Sequence, residues 1–395
     1  MAYCARKNII LSYSRRCWRF WVTTPPWDRE AEILSERAAG LFAQLEALVA
    51  DNARRAQDQA EYNQRYAELR ARYDGVKARQ AEIAEEKQSR SVRRENILRF
   101  IETLRAHSLN PEDGVWNWEP MDRLADFARE NNLQLRGHTL IWPVQDVWML
   151  WTDTTRTQLV DKATLFDRMD KYIETVMGRY GDVIDVWDVV NEPFHYDRTQ
   201  ELKEETNYFK IAGEEFATKA FEIAAKYADE NDILMVNETF VEGNAAKTDN
   251  MFKCVERWLK QGVRIDGIGT QGHMGTVSTL PFDPNFCVID NLAKRCRALG
   301  VKLEYTEIDI KIFEIDRQRT VESPPEWLAK WQIFKYRKFF EALRRNQDVV
   351  IGATFWGLDD AHTVINYNYN EYKDWPMLFD RNGQPKQNFF AVCDF

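Results

Sequence analysis

Histidine is scarce in this sequence, five in 395 residues, and none of it falls into HExxH or another compact ligand pattern. A histidine-built metal centre is therefore not expected. The six cysteines, Cys4, Cys17, Cys254, Cys287, Cys296 and Cys393, are scattered without CxxC spacing, so neither a zinc site nor a disulfide framework is indicated. No uninterrupted apolar run is long enough to cross a bilayer, and membrane-spanning readings fall away. A positive surplus is missing too. Against 54 Lys and Arg stand 63 Asp and Glu, a net charge of −9, which argues against a broad nucleic-acid surface. The first acid is Asp28, but the apolar stretch from Ile9 to Leu11 is far too short for a secretory core, so no cleaved signal is read. An organelle-targeting segment, a displaced translation start and a structured strand all remain open for this basic start, and so does the localisation.

Aromatic residues, by contrast, are abundant: 14 Trp, 15 Tyr and 22 Phe. Most will be core, but flat faces with a polar edge also suit sugar rings. From Asp28 to about Glu95 the chain is rich in Ala, Glu, Arg, Gln and Leu, with apolar residues at helical spacing (Ile33, Ala38, Leu41, Leu45, Leu48). This predicts solvated helices with no binding role, and a division into an atypical, mostly helical segment 1–90, with partial disorder left open, and a larger domain 91–395.

Beyond it, six β-branched or aromatic runs alternate with amphipathic helical segments: 133–142, 183–190, 232–240, 264–271, 302–310 and 349–358. Runs apolar on both faces and separated by helices describe parallel strands in βαβ units. No GxGxxG follows any of them, which favours an α/β barrel over a dinucleotide-binding sheet. In such a barrel the chemistry sits at the carboxyl ends of the strands. Those ends are polar here: His138 with Trp142 and Gln145, Asn191 with Glu192, Asn237 with Glu238, Gln271 with His273, Glu307 with Asp309, and Trp356.

Two carboxylates on different strands, Glu192 and Glu307, suggest glycoside hydrolysis, in which one group protonates the leaving oxygen and the other attacks the anomeric carbon or activates water. Asn191 is placed to donate a hydrogen bond to a sugar 2-hydroxyl. His273 and Asp309 are placed to orient the nucleophile and keep it ionised.

At these residues the sequence resembles glycoside hydrolase family 10, the endo-1,4-β-xylanases. The matching strings are RGHTLIW (136–142), WDVVNEPF (187–194), DGIGTQGHMG (266–275), EYTEIDI (304–310), TFWGLDD (354–360) and WPMLFDRNGQPKQNF (375–389). The resemblance implies a (β/α)8 TIM barrel and cofactor-free, retaining hydrolysis of the xylan backbone. It makes Glu192 the acid/base and Glu307 the nucleophile, supported by His273 and Asp309. His138, Trp142, Gln145, Asn191, Gln271 and Trp356 become sugar contacts. The expected partner is a polysaccharide or oligosaccharide, with no nucleic acid, no membrane, no metal, and a monomeric enzyme. The family is usually secreted.

The sequence also departs from the family. Val364 stands where a second Trp usually follows TFWG, leaving Tyr367, Tyr369 and Trp375 as substitutes, and Pro143 replaces a common His. SVRRENILRF (91–100) keeps Glu95 and Asn96 of a pattern that normally ends the second strand, making them further candidate sugar contacts, but has Arg99 at the Lys position. The first strand is not recognisable, NIILSYS or WRFWVTT being the substitutes, so an atypical and incomplete first βα region is one expectation. A β-1,4-glucanase of the same clan, or an impaired xylan-binding barrel, are the competing functions.

Overall fold

The computed structural model describes residues 27–55, 58–104, 109–110, 112–276, 286–313, 323–363 and 373–393. They divide into two compact units between Thr103 and Leu104.

The first unit holds two long helices, Trp27–Arg54 and Gln59–Leu104. Their apolar stripes meet: Ala38, Leu41 and Val76 form a small core, with Leu34, Leu69 and Tyr73 packed against it. Arg79 pairs with Glu30 at 2.9 Å across the two helices. The second helix runs through residue 90, where a domain boundary was expected. The reason is local, because SVRRENILRFIETL contains neither Gly nor Pro to stop it. Glu95 and Asn96 accordingly lie within a helix and not at a strand end, and their side chains lie outside what is described. The runs NIILSYS and WRFWVTT also lie outside the described residues.

The second unit is built on parallel strands β1 (Leu135–Ile141), β2 (Ile184–Asn191), β3 (Ile233–Glu238), β4 (Gly267–Thr270), β5 (His273–Gly275), β6 (Lys302–Lys311) and β7 (Val350–Phe355). All six expected runs are strands. Gly272, at φ +74°, directly follows the fourth run and separates β4 from β5, two pieces of one stave, both paired with β6. The order β1-β2-β3-β4-β6-β7 follows the chain, each neighbouring pair is parallel, and helices fill the connections. This is a curled parallel sheet forming six consecutive staves of a (β/α)8 barrel among the described residues. Among the described residues β1 is paired only with β2, and β7 only with β6.

The helices cover the outer face by ordinary amphipathic logic. In Lys162–Tyr180, Leu165, Met169, Tyr172, Ile173, Val176, Met177 and Tyr180 are buried at three- and four-residue spacing, and Asp161 caps the start by accepting from the Thr164 N–H at 2.8 Å. Among the described residues no helix is long and apolar enough to cross a membrane.

Inside the sheet, strict alternation would not place the polar residues together. Register shifts between Asp188 and Val190 in β2, and between Tyr305 and Ile308 in β6, break the two-residue period. Asp188 and Asn191, an odd number apart, thereby both bond to interior groups, as do Glu304 and Glu307. Deeper than the strand ends, the Arg136 guanidinium sits fully buried between Asp188 and Glu304, each at 2.5 Å. Burial pushes Glu304 upward, with Arg136 pulling the other way, whereas for Asp188 the charges of Arg136 and His138 outweigh burial and hold it low. Replacing Arg136 by Leu would leave two buried carboxylates facing each other. The expected cost is about 3–5 kcal/mol of unfolding free energy, read from urea denaturation, and a loss below about 1 kcal/mol would show that the triad is not a stabilising element.

Candidate active site

Glu307, near the carboxyl end of β6, is almost fully buried, and each of its oxygens has a donor. Asn237 Nδ2 donates to Oε1 at 3.0 Å, and His273 Nε2 lies 3.2 Å from Oε2. The other ring nitrogen of His273 is 2.8 Å from Asp309 Oδ2. Burial opposes charging of this ring, but the carboxylates of Asp309 and Glu307 prevail and raise its pKa to about 10. At neutral pH His273 is therefore a cation donating to a carboxylate on each side. His138 repeats the pattern on β1. Its Nδ1 is 2.8 Å from Asp188, its Nε2 is 4.0 Å from Glu307 Oε1, and these carboxylates raise its pKa against the effect of burial.

Glu192 directly follows β2, in a left-handed backbone conformation with φ +54°. Its N–H donates to the Asn237 carbonyl at 2.8 Å, which fixes the turn against β3. Gln271 Nε2 donates to Oε1 at 2.7 Å, while Oε2 faces the Lys203 ammonium at 3.7 Å. Asn191 Oδ1 accepts from Asn237, and Asn191 Nδ2 is a buried donor with no partner among the described residues. The Trp356 ring meets both imidazoles edge to face, His138 at 5.8 Å and His273 at 6.1 Å.

The structure thus brings together His138, Asn191, Glu192, Gln271, His273, Glu307, Asp309 and Trp356. Trp142 and Gln145 follow β1 and are joined to each other, the Gln145 N–H donating to the Trp142 carbonyl at 2.9 Å. The Trp142 indole N–H is buried without a partner among the described residues. Glu95 and Asn96 are not part of the described cluster. Trp375, one candidate for the missing wall, is instead a core side chain packed with Ile312, Phe313 and Leu328. Val364, Tyr367 and Tyr369 lie outside the described residues. His195 is beside Asp197, and His362 Nδ1 is 2.7 Å from Asp359. No group of three or more His, Cys, Asp or Glu able to hold a metal ion occurs among the described residues.

Asn237, Asp188 and Lys203 were not singled out as site residues. Asn237 is the node of the cluster, bonded to Asn191 and Glu307, with its own oxygen accepting from Thr306 at 2.7 Å. A Cβ on Gly269 would come within 2.5 Å of that oxygen, so glycine is required there for Asn237 to sit where it does. Its position at the end of the third strand was the available signal.

The raised pKa of His273 has a stability consequence of definite sign. The protonated ring stabilises the fold fully below the unfolded histidine value of about 6.5, and this contribution disappears as pH rises through about 10. Asp309→Asn should lower the His273 titration by at least about one unit, followed by NMR of the imidazole nitrogens. An unmoved titration would remove Asp309 as the cause.

A family model described as glycosyl hydrolase family 10 matches residues 62–395. The endo-1,4-beta-xylanase A of Caldicellulosiruptor saccharolyticus is 34% identical over 315 residues, spanning 78% of this chain and 87% of that protein. The beta-1,4-xylanase of Dictyoglomus thermophilum is 33% identical over 289 residues, 73% of this chain and 78% of its own. The crystal structure of an endo-1,4-beta-xylanase from Caldicellulosiruptor owensensis superposes with a TM-score of 0.65 at 32% identity, covering 73% of this chain and 85% of that one.

Proposed function

The chain belongs to glycosyl hydrolase family 10, and on that premise we propose how its own residues divide the hydrolysis between them. The activity is retaining, endo-acting cleavage of β-1,4-xylosidic bonds in xylan, through a covalent glycosyl-enzyme intermediate. In the proposed assignment Glu307 attacks the anomeric carbon. Glu192 donates its proton to the glycosidic oxygen, then takes one from the water that releases the sugar.

The observation that carries this assignment is the difference in hydrogen bonding between the two carboxyls. Donors on both oxygens of Glu307 suit an anion that attacks. On Glu192, Gln271 occupies only Oε1, which leaves Oε2 to carry the proton. The unpartnered Asn191 Nδ2 supports a bond to the sugar 2-hydroxyl, one that strengthens as the oxocarbenium-like transition state forms. Trp356, steadied by the two imidazoles, supplies a flat apolar surface for a sugar ring. Trp142 and Gln145 are proposed to contact sugar beyond β1. The helical first unit is proposed to supply no catalytic side chain.

Glu307→Ala should abolish turnover on every substrate, since nothing replaces the nucleophile. Glu192→Ala should lose about 10²–10⁴-fold on xylan yet still be glycosylated by activated aryl xylobiosides, with azide restoring release. Equal losses from both variants on aryl substrates would reverse or remove the assignment. Parallel turnover on xylan and on a mixed-linkage β-glucan tests the substrate, faster cleavage of the glucan being the contrary result.

A further inference from the structure

Behind Glu192 lies a second set of buried charges that the proposed mechanism does not use. Lys203, nearly fully buried, holds its ammonium 3.7 Å from Glu192 Oε2. On the far side is Glu238, at the end of β3 and wholly inaccessible. It accepts from the backbone N–H groups of Phe194 at 3.0 Å and Thr239 at 2.8 Å, and pairs with the buried Lys247 at 2.7 Å. The Tyr196 ring lies over both ammonium groups, 4.0 Å from Lys247 and 5.8 Å from Lys203. Glu192, Lys203, Glu238 and Lys247 thus alternate in sign. Since Glu238 and Lys247 neutralise one another, Lys203 acts on Glu192 as a net positive charge.

Resting on the assignment of Glu192 as acid/base, we propose that Lys203 is a positioning residue that drives the Glu192 proton toward the leaving-group oxygen. Gln271 donates to Oε1, so the proton resides on Oε2, the oxygen that faces Lys203. An ammonium has three donors and no acceptor, so it cannot share that proton and can only favour its departure. Once the proton has moved to the glycosidic oxygen, the cation stabilises the carboxylate left behind. The Lys203 side chain is nearly fully buried, where such a charge acts more strongly than on the surface. The backbone pins Lys203 in place: its N–H donates to the Pro193 carbonyl at 2.9 Å, and its carbonyl accepts from the Thr206 hydroxyl at 2.9 Å. The other groups facing Glu192 are Gln271, Tyr196 and Glu238, with Glu307, His138 and His273 across the site. Tyr196 and Gln271 are uncharged at neutral pH, so Lys203 is the one cation within 4 Å of the Glu192 carboxyl among the described residues.

The test is Lys203→Met and Lys203→Gln in the full chain, melted beside the parent to confirm folding, with Lys203→Arg as the charge-preserving variant. Without the cation Glu192 holds its proton more tightly. The basic limb of the kcat/KM profile on xylan should move up by about one pH unit, and kcat/KM on the plateau should fall about tenfold. Hydrolysis of 2,4-dinitrophenyl xylobioside, whose leaving group needs no proton, should change less than about twofold. Lys203→Arg should return both readings toward the parent. A folded Met or Gln variant with its basic limb unmoved overturns the proposal, as do equal losses on xylan and the aryl substrate. If Glu192→Ala itself shows no dependence on leaving group, it is the acid/base assignment that fails.

Discussion

A carboxylate inside a barrel is tolerated only if an opposite charge sits against it, and this protein meets that requirement with an unbroken series. Glu304 pairs with Arg136, Arg136 with Asp188, Asp188 with His138, His138 faces Glu307, Glu307 meets His273, and His273 pairs with Asp309. The signs alternate throughout, because both histidines are drawn toward the protonated form by their flanking carboxylates. Each ion is desolvated, so none is cheap to keep alone. The arrangement makes the depth of the barrel and the carboxyl ends of its strands one electrostatic unit, in which displacing any interior member of the series exposes two neighbours.

Such a series explains what was legible beforehand. The six strands could be read because strands covered on both faces leave long apolar runs, and the family strings lie at their ends. Glu192, Glu307, His273 and Asp309 stood out because carboxylates and imidazoles are rare at the close of such runs. Asn237 was visible in the same place but carries no charge to mark it. Asp188 sits in mid-strand, where alternation assigns no chemistry, and only the irregular register of β2 aligns it with His138. Lys203 lies in a connection beyond β2, eleven residues after Glu192 by number, and nothing local in the sequence tells of its return. The helix through Glu95 was hidden by a different cause. The family pattern around Glu95 is short, and the fourteen residues from Ser91 to Leu104 contain no helix breaker, so the backbone stays helical.

The two carboxyls proposed to share the reaction belong to different electrostatic neighbourhoods, and this is what lets one barrel end hold both. Glu307 is a link in the interior series, with cations or amide donors on both oxygens, and its position is set from below by strands β1, β3 and β5. Glu192 stands at the rim, tied to the strands through its own backbone N–H and the Gln271 amide, with Lys203 reaching it from a loop. Asn237 joins the two, its backbone carbonyl holding Glu192 and its side-chain amide holding Glu307. A nucleophile needs fixed geometry and a constant charge. A group that must give up a proton and recover it within each cycle needs a neighbour that is charged throughout, together with one oxygen not already engaged by a donor. The rim position, with one strand-held contact and one loop-held cation, meets that need in a way the saturated interior cannot.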